Sequence, residues 1–105
     1  MNEITQHDVR RLFNYIDGEL IWKITPGRRI KKGNVAGTLM KSLYIRIIIG
    51  GRQYRAHRLV FLYHHGFMPK EIDHIDGDRG NNKIDNLREC ERSENTWNTK
   101  LQDRN

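Results

Sequence analysis

From Ile72 to Cys90 the chain reads Ile-Asp-His-Ile-Asp-Gly-Asp-Arg-Gly-Asn-Asn-Lys-Ile-Asp-Asn-Leu-Arg-Glu-Cys, and no other stretch limits the fold so tightly. It is too polar and too rich in Gly, Asp and Asn to run as one helix, because these residues favour turns that bond their own backbone. The apolar residues gather at its two ends. The pattern therefore predicts strand, loop, strand: Glu71 to His74, a loop through Asp76-Gly77-Asp78 and Gly80-Asn81-Asn82, then Asn86 to Cys90. Ser93 is placed to cap a helix running through Trp97.

The same run carries chemistry. Aspartate and asparagine supply the oxygen ligands that hard cations such as Mg²⁺ take. Histidine is the side chain suited to removing a proton near neutral pH. The formal charge of the chain is +6, which favours an anionic partner. A metal–oxygen site beside a general base on a positive body is what phosphodiester hydrolysis requires. Asp76-Gly77-Asp78 invites comparison with a twelve-residue calcium loop, but Gly80 stands at the next alternate position and no Glu closes the loop. These residues, with Asn81 and Asn82, read as turn formers that bond backbone.

The rest of the chain supplies a scaffold. Thr5 to Phe13 is expected to be a short helix capped by Thr5, with Val9, Leu12 and Phe13 on one face. Asp17-Gly18 marks a turn, and Leu20 to Ile24 a strand anchored by Trp22. Pro26 to Asn34 is a loop. Leu43 to Ile49 and Gln53 to Ala56 form a hairpin around Gly50-Gly51. His57 to His65 switches to helical spacing, ending at Gly66. The fold class expected is α+β: a small antiparallel sheet and helices, then a C-terminal strand–strand–helix unit. Residues 1–56 are expected to form an N-terminal helix and basic antiparallel strands that contact the anionic partner, and residues 57–105 the reactive part of one compact domain.

The lone cysteine, Cys90, excludes an intrachain disulfide and a cysteine-based zinc site, and it reads as a small core residue. No apolar run approaches a membrane span and the N-terminus does not resemble a signal peptide, so a reducing cytoplasm is the expected compartment and no membrane partner is expected. His64 and His65, adjacent on a helix, point apart and read as surface or partly packed. His7 reads as solvated. His57 has two readings: it fixes the neighbouring strand–loop–strand unit, or it caps its own helix. Trp22 and Trp97 read as core anchors.

Pairing the two strands and folding the last helix across them brings Asp73 and His74, at the end of the first strand, to Asn95 in the first turn of that helix. Asp73 and Asn95 could then hold one divalent cation while His74 faces a water beside a phosphate. Asp73-His74-Ile75-Asp76-Gly77, Asn81-Asn82, Asp85-Asn86-Leu87 and Ser93-Glu94-Asn95, with His57-Arg58-Leu59-Val60 upstream, resemble the HNH endonuclease family, in its phage and intron-encoded homing branch. The likeness covers about His57 to Thr99, and more loosely reaches back to Trp22 through Gly33 to Gly37 and the Tyr44 to Tyr54 hairpin.

The resemblance implies a ββα-metal finger that cleaves DNA, by nicking or by cutting both strands. It implies His74 as general base, Asp73 and Asn95 as metal ligands, and Asn86 as the residue that braces the loop and orients the histidine. Asparagine rather than histidine at the last ligand position implies Mg²⁺ or Mn²⁺ over zinc. Beside such a site, two basic groups are expected to meet the phosphates of duplex DNA: Arg28, Arg29, Lys31 and Lys32 in the loop, and Arg46, Arg52, Arg55 and Arg58 on the hairpin and following helix. The rivals are a non-catalytic nucleic-acid- or protein-binding module on the same scaffold, and an RNA-binding protein, which leaves the Asp73, His74 and Asn95 spacing unexplained.

Overall fold

The computed structural model describes residues 3–90. Helix α1 spans Gln6–Leu12. It starts where Thr5 and Asp8 cap each other: the Asp8 N–H donates to Thr5 Oγ1 (3.2 Å) and the Thr5 N–H to Asp8 Oδ2 (3.1 Å). Phe13 leaves the helix and opens strand β1 (Phe13–Ile16), which pairs antiparallel with β2 (Glu19–Trp22). The predicted Asp17-Gly18 turn joins them, with φ of 48° and 93°. Both residues in the left-handed region make the turn whose twist suits a two-residue hairpin. Strand β1 was hidden in the sequence because Val9, Leu12 and Phe13 keep helical spacing up to the helix end.

A second sheet has the order β3 (Thr38–Leu39), β4 (Ile45–Ile49), β5 (Arg52–Arg55), all antiparallel. Gly50 and Gly51, at φ 57° and 84°, make the predicted turn between β4 and β5. Strand β5 runs directly into helix α2 (Ala56–His65), which stops at Gly66 in the left-handed conformation, φ 84°. The last sheet is the expected pair, β6 (Glu71–His74) and β7 (Leu87–Cys90), with a single 3₁₀ turn at Ile84–Asn86 leading into β7. The helix expected from Ser93 through Trp97, and with it Asn95, lies outside the described residues. No helix among the described residues is long and apolar enough to cross a membrane.

One continuous cluster of buried side chains runs from α1 to β7: Val9, Phe13 and Trp22, then Ile47, then Leu59 and Val60, then Leu87. Helix α2 supplies its centre, with Leu59 and Val60 fully buried, as its spacing predicts. Phe13 and Trp22 pack ring to ring at 4.5 Å, so Trp22 is the core anchor expected. Cys90 is buried too.

The first hairpin buttresses the loop between β6 and β7. Tyr15 Oη accepts the Ile84 N–H (2.9 Å), and Lys83 reaches Asp17 (3.7 Å). A Cβ at Gly18 would lie 3.0 Å from the Lys83 backbone nitrogen, so the turn can approach that closely only with glycine.

Candidate active site

Strand β6 ends at His74, and the chain turns at once. The Gly77 N–H donates to the His74 carbonyl (2.8 Å) and the Ile75 N–H to the Asn86 carbonyl (2.9 Å). Asp76 ties the loop together. Its carboxylate accepts from the Asn81 amide (2.8 Å), the Asp78 N–H (2.8 Å) and the Asn86 amide (2.9 Å). These three donors, Asn81 foremost, hold its carboxyl below the usual carboxylate range. Asn86 makes two further bonds: Oδ1 accepts the Asp76 N–H (3.0 Å) and Nδ2 also donates to the Asn81 carbonyl (2.9 Å). Asn86 thus clasps both limbs of the loop. Asp76 and Asp78 act as turn formers: Asp78 Oδ1 accepts the Gly80 N–H at 2.9 Å.

The His74 ring is buried. Its Nε2 lies 2.9 Å from Oδ1 of Asn82, itself only 2 % exposed. An amide oxygen can only accept, so Nε2 carries a proton, and in the neutral ring the lone pair lies on Nδ1. Asn82, expected from its place in a turn-rich loop to bond backbone, presents its Oδ1 to the histidine. It faces inward and fixes the tautomer of the histidine.

His57, at the start of α2, stacks on Tyr44 (ring centres 5.4 Å, planes 27° apart) and packs against His74 (4.8 Å). Of its two readings, the structure supports the one in which it fixes the adjoining strand–loop–strand unit. Burial, and after it the neighbouring His74, Arg58 and Arg55, push its pKa down to about 3, so it sits as a neutral spacer near pH 7. His64 instead bonds the Val60 carbonyl (2.9 Å), and His65 packs on Phe61. Neither lies in the His74 cluster.

Asp73 points to the other face of β6. Its Oδ2 receives Arg88 Nη2, its register partner on β7. The Asp73 side chain is 25 % exposed, so the pair is open to solvent. Among the described residues no group of three or more His, Cys, Asp or Glu is placed to hold a metal ion. Asp73, next to His74 in sequence but on the opposite face of β6, is a hard-oxygen donor that suits Mg²⁺ or Mn²⁺ in kind; Asn95 lies outside the described residues.

The basic residues fall in three settings. Arg28, Arg29, Lys31 and Lys32 are exposed on a loop whose backbone is pinned by Thr25 and Asn34. Arg28 and Arg29 line a shallow cleft with Ile48 and Gly50-Gly51, so this loop lies against the β4–β5 turn. Arg46 and Arg55 face each other across β4 and β5, and Arg52 is exposed beside the turn. Arg58 is spent differently: its guanidinium donates to the Pro69 (2.6 Å) and Lys70 (3.4 Å) carbonyls, tying α2 to the approach of β6.

Sequence reasoning passed over Asn82, Tyr44, Arg79 and Arg88. Nothing in an Asn81-Asn82 doublet says which side chain turns inward. Arg88 could have been found: in an antiparallel pair closed by this loop, it stands opposite Asp73.

Residues 54–97 match the family model of HNH endonucleases. No curated protein and no solved structure gave a match.

Proposed function

From the membership of residues 54–97 in the HNH endonuclease family, we propose that this protein hydrolyses phosphodiester bonds of duplex DNA with the help of a divalent metal ion. His74 is the general base. Its Nδ1 takes a proton from a water whose oxygen attacks phosphorus, and the 3′ or 5′ oxygen leaves. Asn82 holds the ring by its Nε2–H, which leaves Nδ1 as the nitrogen that accepts a proton. His57 packs behind the ring as an uncharged wall. Asn86 keeps the loop closed under the histidine. Asp73 and Asn95 would hold Mg²⁺ or Mn²⁺, which supplies positive charge to the scissile phosphate and the leaving oxygen. The basic loop and the hairpin arginines hold the duplex by its phosphates.

The observation that carries this reading is the His74–Asn82 bond, because a histidine held by one ring nitrogen is left with the other to take up a proton. The test is nicking of supercoiled plasmid with EDTA, Mg²⁺, Mn²⁺ and Zn²⁺ in parallel. Cleavage with Mg²⁺ or Mn²⁺ that disappears in EDTA and in His74→Ala is expected.

One observation favours a second reading, a non-catalytic binding module on the same scaffold. Asp73 is already paired with Arg88, which occupies the carboxylate a metal would need. DNA binding without nicking under any of the four conditions would establish it.

A further inference from the structure

Two arginines, Arg55 and Arg79, meet on Tyr44 beside the His74 cluster, and a third, Arg46, stands opposite Arg55 in the sheet. The Arg55 guanidinium carbon lies 4.2 Å from the centre of the Tyr44 ring and that of Arg79 lies 4.8 Å from it. Arg46 is the direct cross-strand partner of Arg55. The ion pairs found among the described residues, Lys83–Asp17 and Arg88–Asp73, involve none of the three. Like charges placed opposite each other on one face of a sheet destabilise it. The turn that presents Tyr44 is also strained: Leu43 has φ 75°, which a bulky side chain seldom adopts. That turn offers the Ser42 carbonyl to Arg79 Nη1 (2.9 Å) as well as the Tyr44 ring. The fold thus maintains a strained turn that holds two guanidinium groups in place. The ring centre of Tyr44 is 6.2 Å from that of His74.

We propose that Arg55 and Arg79, steadied on Tyr44 and joined by Arg46, form a clamp for a backbone phosphate of DNA next to the one cleaved at His74. This rests on the nuclease reading and extends it to a particular phosphate. Guanidinium groups suit this role because they are planar, permanently charged and bond phosphate oxygens in pairs, while stacking on an aromatic face keeps them oriented. A bound phosphate also relieves the repulsion between Arg46 and Arg55. Arg79 comes from the β6–β7 loop and Arg55 from the end of β5, so the clamp joins the reactive loop to the hairpin.

The test measures binding of a fluorescent duplex in EDTA, across a salt series, for the full chain and for Arg55→Ala, Arg79→Ala, the double variant, Arg79→Lys and, as control, Arg11→Ala on α1. Removing one phosphate contact lowers the slope of log affinity against log salt by about one unit. Expected are a decrease of about one for each single alanine variant, about two for the double, and no change for Arg79→Lys or Arg11→Ala, with circular dichroism showing that all fold. In a duplex that is cleaved, a methylphosphonate beside the cut weakens wild-type binding but adds nothing to the deficit of the double variant. Unchanged slopes in Arg55→Ala and Arg79→Ala, with the wild type still binding and nicking, overturn the clamp and leave the nuclease reading standing. A wild-type protein that neither binds nor nicks DNA overturns both.

Discussion

Asp73 and Arg88 face each other across β6 and β7, and the arginine donates to the carboxylate expected to bind metal. The pair is partly solvated, so it contributes little to stability, about 0–1 kcal/mol. Its consequence is electrostatic: a fixed cation stands beside the oxygens that a metal ion would occupy. If the two compete, Arg88→Ala raises Mn²⁺ affinity several-fold while the melting temperature barely moves. Calorimetric titration of Mn²⁺ into the variant decides it. Unchanged or weaker binding would show that Arg88 orients Asp73 rather than competing for it.

The His74–Asn82 bond predicts two different losses. His74→Ala removes the base and should lower cleavage by about 10²–10⁴-fold with the fold intact. Asn82→Ala leaves a buried ring N–H without its acceptor, at a cost of about 1–3 kcal/mol, and frees the ring to turn. Its turnover should fall by roughly 10–100-fold, as when the orienting partner of a functional histidine is removed. Nitrogen-15 spectra of His74 should show one tautomer in the wild type and a mixture in Asn82→Ala. A single unchanged tautomer in the variant would remove Asn82 from the mechanism.

Asn86 and Asp73 separate bracing from ligation. Asn86 makes three hydrogen bonds that close the loop, two of them to Asp76. Asn86→Ala should therefore lower stability by about 1–3 kcal/mol as well as activity, since net hydrogen-bond contributions run near 1 kcal/mol each. Asp73→Ala should reduce metal binding and cleavage with little change in melting temperature. Thermal melts of the two variants side by side test this. Equal stability of both would mean that Asn86 does not brace the loop.

Much of this was legible because local signals and the fold agree. Gly50-Gly51 between β-branched strands, Gly66 at the end of α2, and Asp76, Asp78 and Asn86 around a tight loop act through backbone geometry, which neighbouring residues determine. The apolar spacing of Leu59 and Val60 likewise marked the core face of α2. What was hidden depends on contacts distant in sequence. The Tyr15 hydroxyl reaches Ile84 from the first hairpin. Tyr44 gathers Arg55 and Arg79 from separate elements. Arg58 looked like a surface cation, yet its guanidinium serves two carbonyls near Pro69.

His57 gives the fold a pH dependence with a definite window. It is buried against Tyr44, against His74 of β6, and beside Arg55 and Arg58 on its own segment. Its pKa is pushed from an ordinary 6.5 to about 3, by burial first and by the neighbouring positive charges after it. The unfolded chain therefore takes up a proton at this site below about pH 6.5, while the folded protein does so only near pH 3. The contribution to stability is complete above 6.5 and is lost as the pH falls through that interval, by up to about 1.4 kcal/mol per pH unit. The carboxylates with lowered pKa, Asp8 and Asp76, behave alike in sign but not in range: their contribution begins to fade only as the pH approaches the ordinary value of 3.8. Denaturant unfolding from about pH 7 to about pH 4 should show a decline in the wild type that is shallower in His57→Gln, which cannot take up the proton. Parallel curves for the two proteins would mean that His57 is solvated or already charged in the folded state, and it could not then be the neutral wall behind His74.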